Sequence, residues 1–451
     1  MLSSFFRFLS DADQFFWSYI AFVLIMVFGV FLTAKMRFFQ IRSLPIAVKT
    51  FVEFMKMKGS ESQGVHPIKV FFASVGGMIG IGNVVGIATA VQIGGPGALF
   101  WVWVAGLIGA MIKYSEILLG LKYRVRNDQG GYDGGPVYFL RAAFKNRWIS
   151  IVVAVLLCIY GVEIYQFTVV TESLSANLPI NRYLLMAVFL AMILYAGIGG
   201  VRRIGKICSL VMPFFLAGYL LMGLWLIGRE AHLLPGIFAD VFRSAFMGHA
   251  AVGGFVGSSL ILTIQHGIAR AAYSADLGIG YDSIIQSESN TVYPQKQARL
   301  AILGVFIDNL ICSISILIVL VSGVWAVSPS IEGSALMQVA LGKYFPSMNL
   351  FVPLFLLIVG YTTIIAFFCV GMKCARFLSP KFGEKIYILY AVASFIFFSF
   401  FDQTKALLIM SISGALLLSI NLLGMFRLRK EIMDPGGAPE EPAVTEVIPT
   451  L

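Results

Sequence analysis

The chain has 451 residues, of which 59% are hydrophobic and only 12% charged. No soluble core needs that excess, so at roughly 20 apolar residues per spanning helix the chain reads as a polytopic membrane protein. Its formal charge of +10 lies in short loops between apolar stretches, where Lys and Arg set topology, which argues against a nucleic-acid partner.

Eleven spans are expected. The first, Phe15 to Thr33, follows Asp11 and Asp13 and has no small-residue cleavage site, so it is not read as a signal peptide. The second, Val70 to Ile93, carries Gly76, Gly77, Gly80, Gly82 and Gly86, with Asn83 as its one strongly polar side chain. Each glycine costs about 1 kcal/mol against Ala in a helix, so this helix is predicted to unwind near Gly80 to Gly82. Unwound backbone at membrane depth must line a cavity or be buried in protein. A Gly-Gly-Pro-Gly turn, Gly94 to Gly97, leads to the third span, Leu99 to Leu121. The next three are Ile149 to Thr171, Tyr183 to Gly200 and Ile207 to Ile227. The last five are Gly248 to Ala269, Ala298 to Val324, Leu350 to Val370, Ile386 to Phe401 and Ala406 to Phe426. The loop Tyr123 to Arg147 is expected to be structured, and Arg270 to Gln297, too polar to span, to close the inner mouth as a gate.

With Ala34 to Pro67 inside, only Arg7, Arg182, Arg229, Arg243, Lys343 and Lys405 of the 33 Lys and Arg fall outside. The positive-inside rule then puts the N-terminus outside and the C-terminus inside. After the extra helix (15–33), ten spans divide into two sets of five that begin on opposite sides, as an inverted repeat requires. The expected organisation is one transmembrane domain, 1–430, with repeats at 69–229 and 243–430, and a disordered tail, 431–451, rich in Pro and Glu.

The seventh span carries its own cluster at Gly253, Gly254 and Gly257. Paired interruptions at matching places in the two halves are the best sequence pointer to a substrate site, although close packing through small residues gives the same pattern. Amides at the break near Gly80, Gly82 and Asn83 would favour a carboxylate. Carbonyls at Val252, Gly253, Gly254 and Phe255 would favour an ammonium. Together they describe a receptor for a small zwitterion. A co-transported cation needs hard oxygen ligands, for which Gly77, Gly80, Asn83, Thr362 and Thr363 are candidates; a Thr in a membrane helix also often bonds its own backbone. Ionisable residues within spans are functional candidates by default. Lys113 and Glu116, three apart, either pair or snorkel; Glu163 and Asp308 either carry a proton or pair with a base such as Arg270. Asp276 joins them as a gating candidate, and His249 and His266 flank the seventh span. No motif of an enzyme active site or phosphate loop is present.

The run Gly82-Asn83-Val84-Val85-Gly86-Ile87-Ala88, continuing through Gly94-Gly95-Pro96-Gly97-Ala98-Leu99-Phe100-Trp101-Val102-Trp103 to Lys113-Tyr114-Ser115-Glu116, resembles the alanine or glycine:cation symporter family. So do Gly134-Gly135-Pro136-Val137-Tyr138, the stretch around Arg270 and Ser274, Phe306-Ile307-Asp308 with Cys312, and Thr362-Thr363-Ile364 through Gly371 and Cys374. The resemblance implies an all-α, five-plus-five inverted-repeat transporter of LeuT type with discontinuous second and seventh helices. It also implies symport of alanine or glycine with Na+ across the bacterial inner membrane by a monomer in the lipid bilayer. Gln166 or Thr168 stands for the family's fourth-span Gln, and Phe367 replaces its ninth-span Trp. Departures are Ile81 for a hydroxyl residue, Ala275 and Asp276 in a loop usually reading Ser-Asn-Glu-Ala-Gly, and Met372 for Glu. These leave open a proton-coupled or uncoupled carrier, or a non-transporting sensor derived from the same fold.

Overall fold

Lipid satisfies no backbone groups, so apolar segments must close their hydrogen bonds internally. The computed structural model, which describes residues 2–57, 63–247, 267–268, 272, 274–327, 333–400 and 403–433, is accordingly helical almost throughout. Among the described residues eight helices are long and apolar enough to cross a membrane, and a ninth span comes from a pair bent by 47°. In chain order, α1 (Leu2–Phe15) and α2 (Phe22–Lys35) join through one π-helical turn, followed by α3 (Phe39–Lys56). The bent pair is α4 (Pro67–Met78) and, after a π-helical turn Gly82–Gly86, α5 (Ile87–Gly94). Then come α6 (Ala98–Lys122), the two-stranded hairpin β1 (Val125–Arg126) and β2 (Tyr132–Asp133), α7 (Pro136–Phe144), α8 (Arg147–Tyr160) and α9 (Ile164–Asn177). The apolar α10 (Arg182–Ile198), α11 (Gly200–Arg229) and α12 (Leu234–Met247) complete the first part. The second contains α13 (Tyr281–Gln286), α14 (Pro294–Ser322), α15 (Val324–Val327), α16 (Gly333–Gly342), α17 (Met348–Leu378), α18 (Gly383–Phe400), α19 (Gln403–Arg427) and α20 (Arg429–Met433). The expected seventh span lies outside the described residues apart from 267–268.

Three features depart from the sequence reading. The loop expected between Ala34 and Pro67 contains α3, which buries Gln40, Ser43, Ala47, Thr50 and Phe54 at three- and four-residue spacing while Ile41, Ile46, Val48, Val52 and Met55 face outward. That is a helical stripe with its apolar side turned from the protein, the inverse of a soluble helix and suited to a lipid boundary. The fourth span is broken between α8 and α9. At the break, a Cβ on Gly161 would meet Tyr387 Oη at 2.7 Å and the Phe367 carbonyl at 2.9 Å, so close packing against α17 and α18 requires glycine there. Residues 431–433, assigned to the disordered tail, end α20, where Glu431 accepts a 2.8 Å bond from Tyr123 Oη.

The expected structured loop is present as the hairpin and α7. Beneath it, α13 is buried along its whole length. The bent pair is enclosed by α11, α14 and α17, placing its break inside the protein.

Candidate functional site

The break begins where α4 ends. Ile79 takes extended dihedrals, φ −83° and ψ 92°, and the carbonyls of the last helical turn lose their intrahelical partners. Thr363, from α17, donates to one of them, Gly76 O, at 3.2 Å. Asn83 caps the other side: its Oδ1 accepts from the Gly80 N–H at 2.9 Å. The Asn83 amide donates in turn to Asp308 Oδ1 at 2.5 Å, fixing the broken strand to α14. Gln166 Oε1 accepts from the Ile81 N–H at 3.4 Å, and its amide donates to Glu163 Oε2 at 3.1 Å. The fourth-span break makes Glu163 the residue before α9, which places its side chain at the same level.

These groups surround a cavity of about 30 Å³, lined by Gly77, Met78, Gly80, Gly82, Asn83, Tyr160, Glu163, Gln166, Ser274, Asp276, Thr363 and Phe367. A water needs about 10–15 Å³ by this measure, so the cavity has room for about two waters. On one side Phe367 stacks on Tyr281, with centroids 4.1 Å apart and planes at 10°. A Cβ on Gly77 would overlap the Tyr281 hydroxyl, so glycine at that position makes room for the stack. A Cβ on Gly80 would project toward Thr363 Oγ1 and Gln166 Oε1, 2.9 and 3.0 Å away.

Of the residues singled out from sequence, Gly77, Gly80, Gly82, Asn83, Glu163, Gln166, Asp276, Thr363 and Phe367 therefore meet at one cavity. Thr362 does not: its hydroxyl turns to the Ile358 and Val359 carbonyls, 3.1 Å each. Thr168 bonds the Ile164 carbonyl, also outside the lining. Asp308 stands one bond behind the cavity, through Asn83. Lys113 and Glu116 neither pair nor snorkel. Lys113 is 1% exposed and reaches Asp282 Oδ2 at 2.7 Å and the Asp276 carbonyl at 2.8 Å, while both Glu116 oxygens lack a hydrogen-bond partner among the described residues. Val252, Gly253, Gly254, Phe255, Arg270, His249 and His266 lie outside the described residues. Ser274 lies in a stretch that carries the family resemblance without being marked as a site residue, and the sequence marks neither Tyr160 nor Asp282 as one. They are brought in by tertiary contact, Tyr160 Oη donating to Asp276 Oδ1 at 3.1 Å and Ser74 Oγ to Asp282 Oδ1 at 2.8 Å.

At the loop-bearing end of the same helices Lys373 ties three elements together. Its ammonium lies 2.6 Å from Glu288 Oε1 and 2.9 Å from Asp133 Oδ1 and donates to the Tyr132 carbonyl at 2.8 Å. Arg124 crosses beside it, donating to the carbonyls of Ser287, Ser289 and Thr291. Burial opposes the charge on Asp133, but the Lys373 ammonium outweighs it and holds the carboxyl below its usual value.

A model of the sodium:alanine symporter family matches residues 3–435. An uncharacterized transporter of Haemophilus influenzae is 31% identical over 435 residues, 94% of each chain. The sodium/alanine symporter AgcS of Methanococcus maripaludis is 29% identical, covering 93% of this chain and 94% of its own. The probable sodium/glutamine symporter GlnT of Bacillus subtilis is 28% identical over 93% and 88%. Among solved structures, a mutant of the Eremococcus coleocola manganese transporter is a distant likeness, with TM-score 0.49 and 14% identity over 82% of this chain and 81% of that one. The chain belongs to the sodium:alanine symporter family.

Proposed function

We propose that this protein is a secondary active symporter that moves a small neutral amino acid, alanine or glycine, into the cell with Na+. The observation that carries this reading is the interrupted span α4–α5, whose break opens on a small cavity lined by polar and apolar residues. The last-turn carbonyls of Gly77 and Met78, with the Thr363 hydroxyl, supply the hard oxygens that a cation takes. The N-terminal end of the outer half-helix faces the substrate carboxylate, which would displace Gln166 from the long bond to Ile81. The protein sits in a bacterial inner membrane with its N-terminus outside, and repeats at 69–229 and 243–430 rock about the site to alternate access. Lys373 with Asp133 and Glu288 closes the inner mouth. One charge crossing the membrane gains roughly 2.3 kcal/mol per 100 mV, enough for more than tenfold accumulation.

A proton-coupled carrier is the second reading, favoured by two carboxylates, Glu163 and Asp276, in the lining and by Ile81, which brings no hydroxyl. Uptake of labelled alanine into proteoliposomes separates the two. Accumulation with an inward Na+ gradient alone supports the first, accumulation with a proton gradient alone supports the second, and none under either removes both.

A further inference from the structure

The helix α3 presents three faces that repeat in step. Gln40, Ala47 and Phe54 are buried against the protein; Ile41, Val48 and Met55 follow them and are 55%, 46% and 60% exposed; Arg42, Lys49 and Lys56 come next and are exposed as well. One residue turns a helix by about 100° and seven make almost two turns, so these are parallel stripes, one on the protein, one apolar and one basic. Two contacts fix how the helix lies. Glu53 reaches Lys296 at 3.7 Å, and the Arg299 guanidinium lies over the Phe39 ring at 5.9 Å. Phe39 and Glu53 are about 21 Å apart along α3, whereas the two bases are about 4.5 Å apart along α14. Therefore α3 crosses the base of the spanning α14 instead of running beside it. It starts just after a candidate span, where Arg37 and Phe38 take left-handed dihedrals, φ 53° and 56°, and turn the chain. With Arg42, Lys49, Glu53 and Lys56 it is too charged to cross the hydrocarbon itself.

A helix with an apolar stripe beside a basic one lies in the membrane interface, the first among acyl chains and the second among headgroups. Among the described residues none of Arg42, Lys49 and Lys56 forms an ion pair, and Glu53, the carboxylate on this side of α3, is matched by Lys296. We propose that α3 is a membrane-surface helix whose stripe of Arg42, Lys49 and Lys56 binds anionic phospholipid headgroups. Basic side chains at such a surface are drawn to anionic lipid, and Arg42 is steadied there by a 2.9 Å bond from its guanidinium to the Met36 carbonyl. The seat is coupled to the bent span. On the protein side of α3, Phe51 packs edge-on against Phe71 and Phe72 of α4, with centroids 5.3 and 6.1 Å apart. The lipid thus braces the helix that carries the break, whichever cargo the cavity takes.

The test is the melting temperature of the purified protein in neutral detergent micelles mixed with phosphatidylglycerol, with phosphatidylcholine, or with free glycerol phosphate. For the native chain phosphatidylglycerol should raise it several degrees more than phosphatidylcholine does at about 50 mM KCl, and by much less at about 500 mM, where the charges are screened. Glycerol phosphate should leave it unchanged. The triple change Arg42→Gln, Lys49→Gln and Lys56→Gln should melt like the native chain in detergent alone and lose the extra rise, and Lys49→Gln alone should lose part of it. A control that removes three other exposed bases, Arg147→Gln, Lys381→Gln and Lys385→Gln, should keep it. A full rise in the triple variant, or an equal loss in the control, overturns the proposal. So does an equal rise with glycerol phosphate, which would mean a site for a free anion. A rise that appears only as the protein elutes as a dimer gives the face to a second copy and overturns it too.

Discussion

Two clusters of charge, one partly buried around Lys373 and one buried at the cavity, are built differently. At the loop-bearing end, the Lys373 ammonium is held by two carboxylates and a carbonyl from two segments, β2 and the stretch after α13. At the cavity, Glu163 and Asp276 accept from neutral groups. The first cluster brings its own counter-charge and can fasten a structure. The second has Lys113 behind it, shared with Asp282, and is the place proposed above for loading cargo.

The comparison is broken most directly at Lys373. Lys373→Met leaves the partly buried Asp133 and Glu288 without their cation, a change that costs less than the roughly 3–5 kcal/mol of a fully buried pair. The detergent-solubilised protein should lose thermal stability, and Cys374, buried beside this cluster, should alkylate faster by peptide mapping. An unchanged melting point with Cys374 still protected would mean the triad closes nothing.

Gly77→Ala comes next. Its methyl overlaps the Tyr281 hydroxyl, and overpacking of this kind costs about 1–3 kcal/mol. Gly82→Ala, with nothing within 4 Å of the new methyl among the described residues, should leave the melting temperature nearly unchanged. Equal shifts for the two would show that the stack on Phe367 yields freely.

The adjacent threonines sharpen the cavity side. Thr363→Val removes the bond to Gly76 O, worth about 0.5–1.5 kcal/mol, together with one oxygen at the cavity. The Na+ concentration for half-maximal uptake should rise several-fold. Thr362→Val, which loses bonds to its own helix and a weak one to Met212 Sδ but none at the cavity, should leave it in place.

The smallest effect is that of pH on the closed end. The Asp133 carboxyl is held below its usual value, so its contribution is complete above about pH 4, where the unfolded chain also ionises. It is lost only as pH falls through the depressed value. Cys374 alkylation should therefore be flat from about pH 5.5 to 8, and a rise within that window would assign the closure to another group.

The break in the second span was legible because five glycines and one Asn in an apolar run conflict with a continuous helix, and the structure bends there. Asn83 was legible as the one strongly polar side chain at the break. The fourth-span break was not, since a lone Gly161 carries little signal and the cause is the approach of Tyr387 and Phe367 from distant helices. Lys113 shows the limit of local spacing: three residues from Glu116 it reads as an i, i+3 pair, yet its partner is Asp282. The α3 helix was hidden because its buried stripe is largely polar and small, the opposite of the usual periodic signal.

In the proposed function the unwound stretch at Gly80 receives the amino acid and its ion. Calorimetric titration of alanine into the purified protein, with and without Na+, for the native chain and Gly80→Ala, tests it most directly, because the new methyl would crowd Thr363 and Gln166 inside the cavity. Na+-dependent binding by the native chain that disappears in a folded Gly80→Ala is the predicted result. Native-like, Na+-dependent binding by Gly80→Ala would contradict the account.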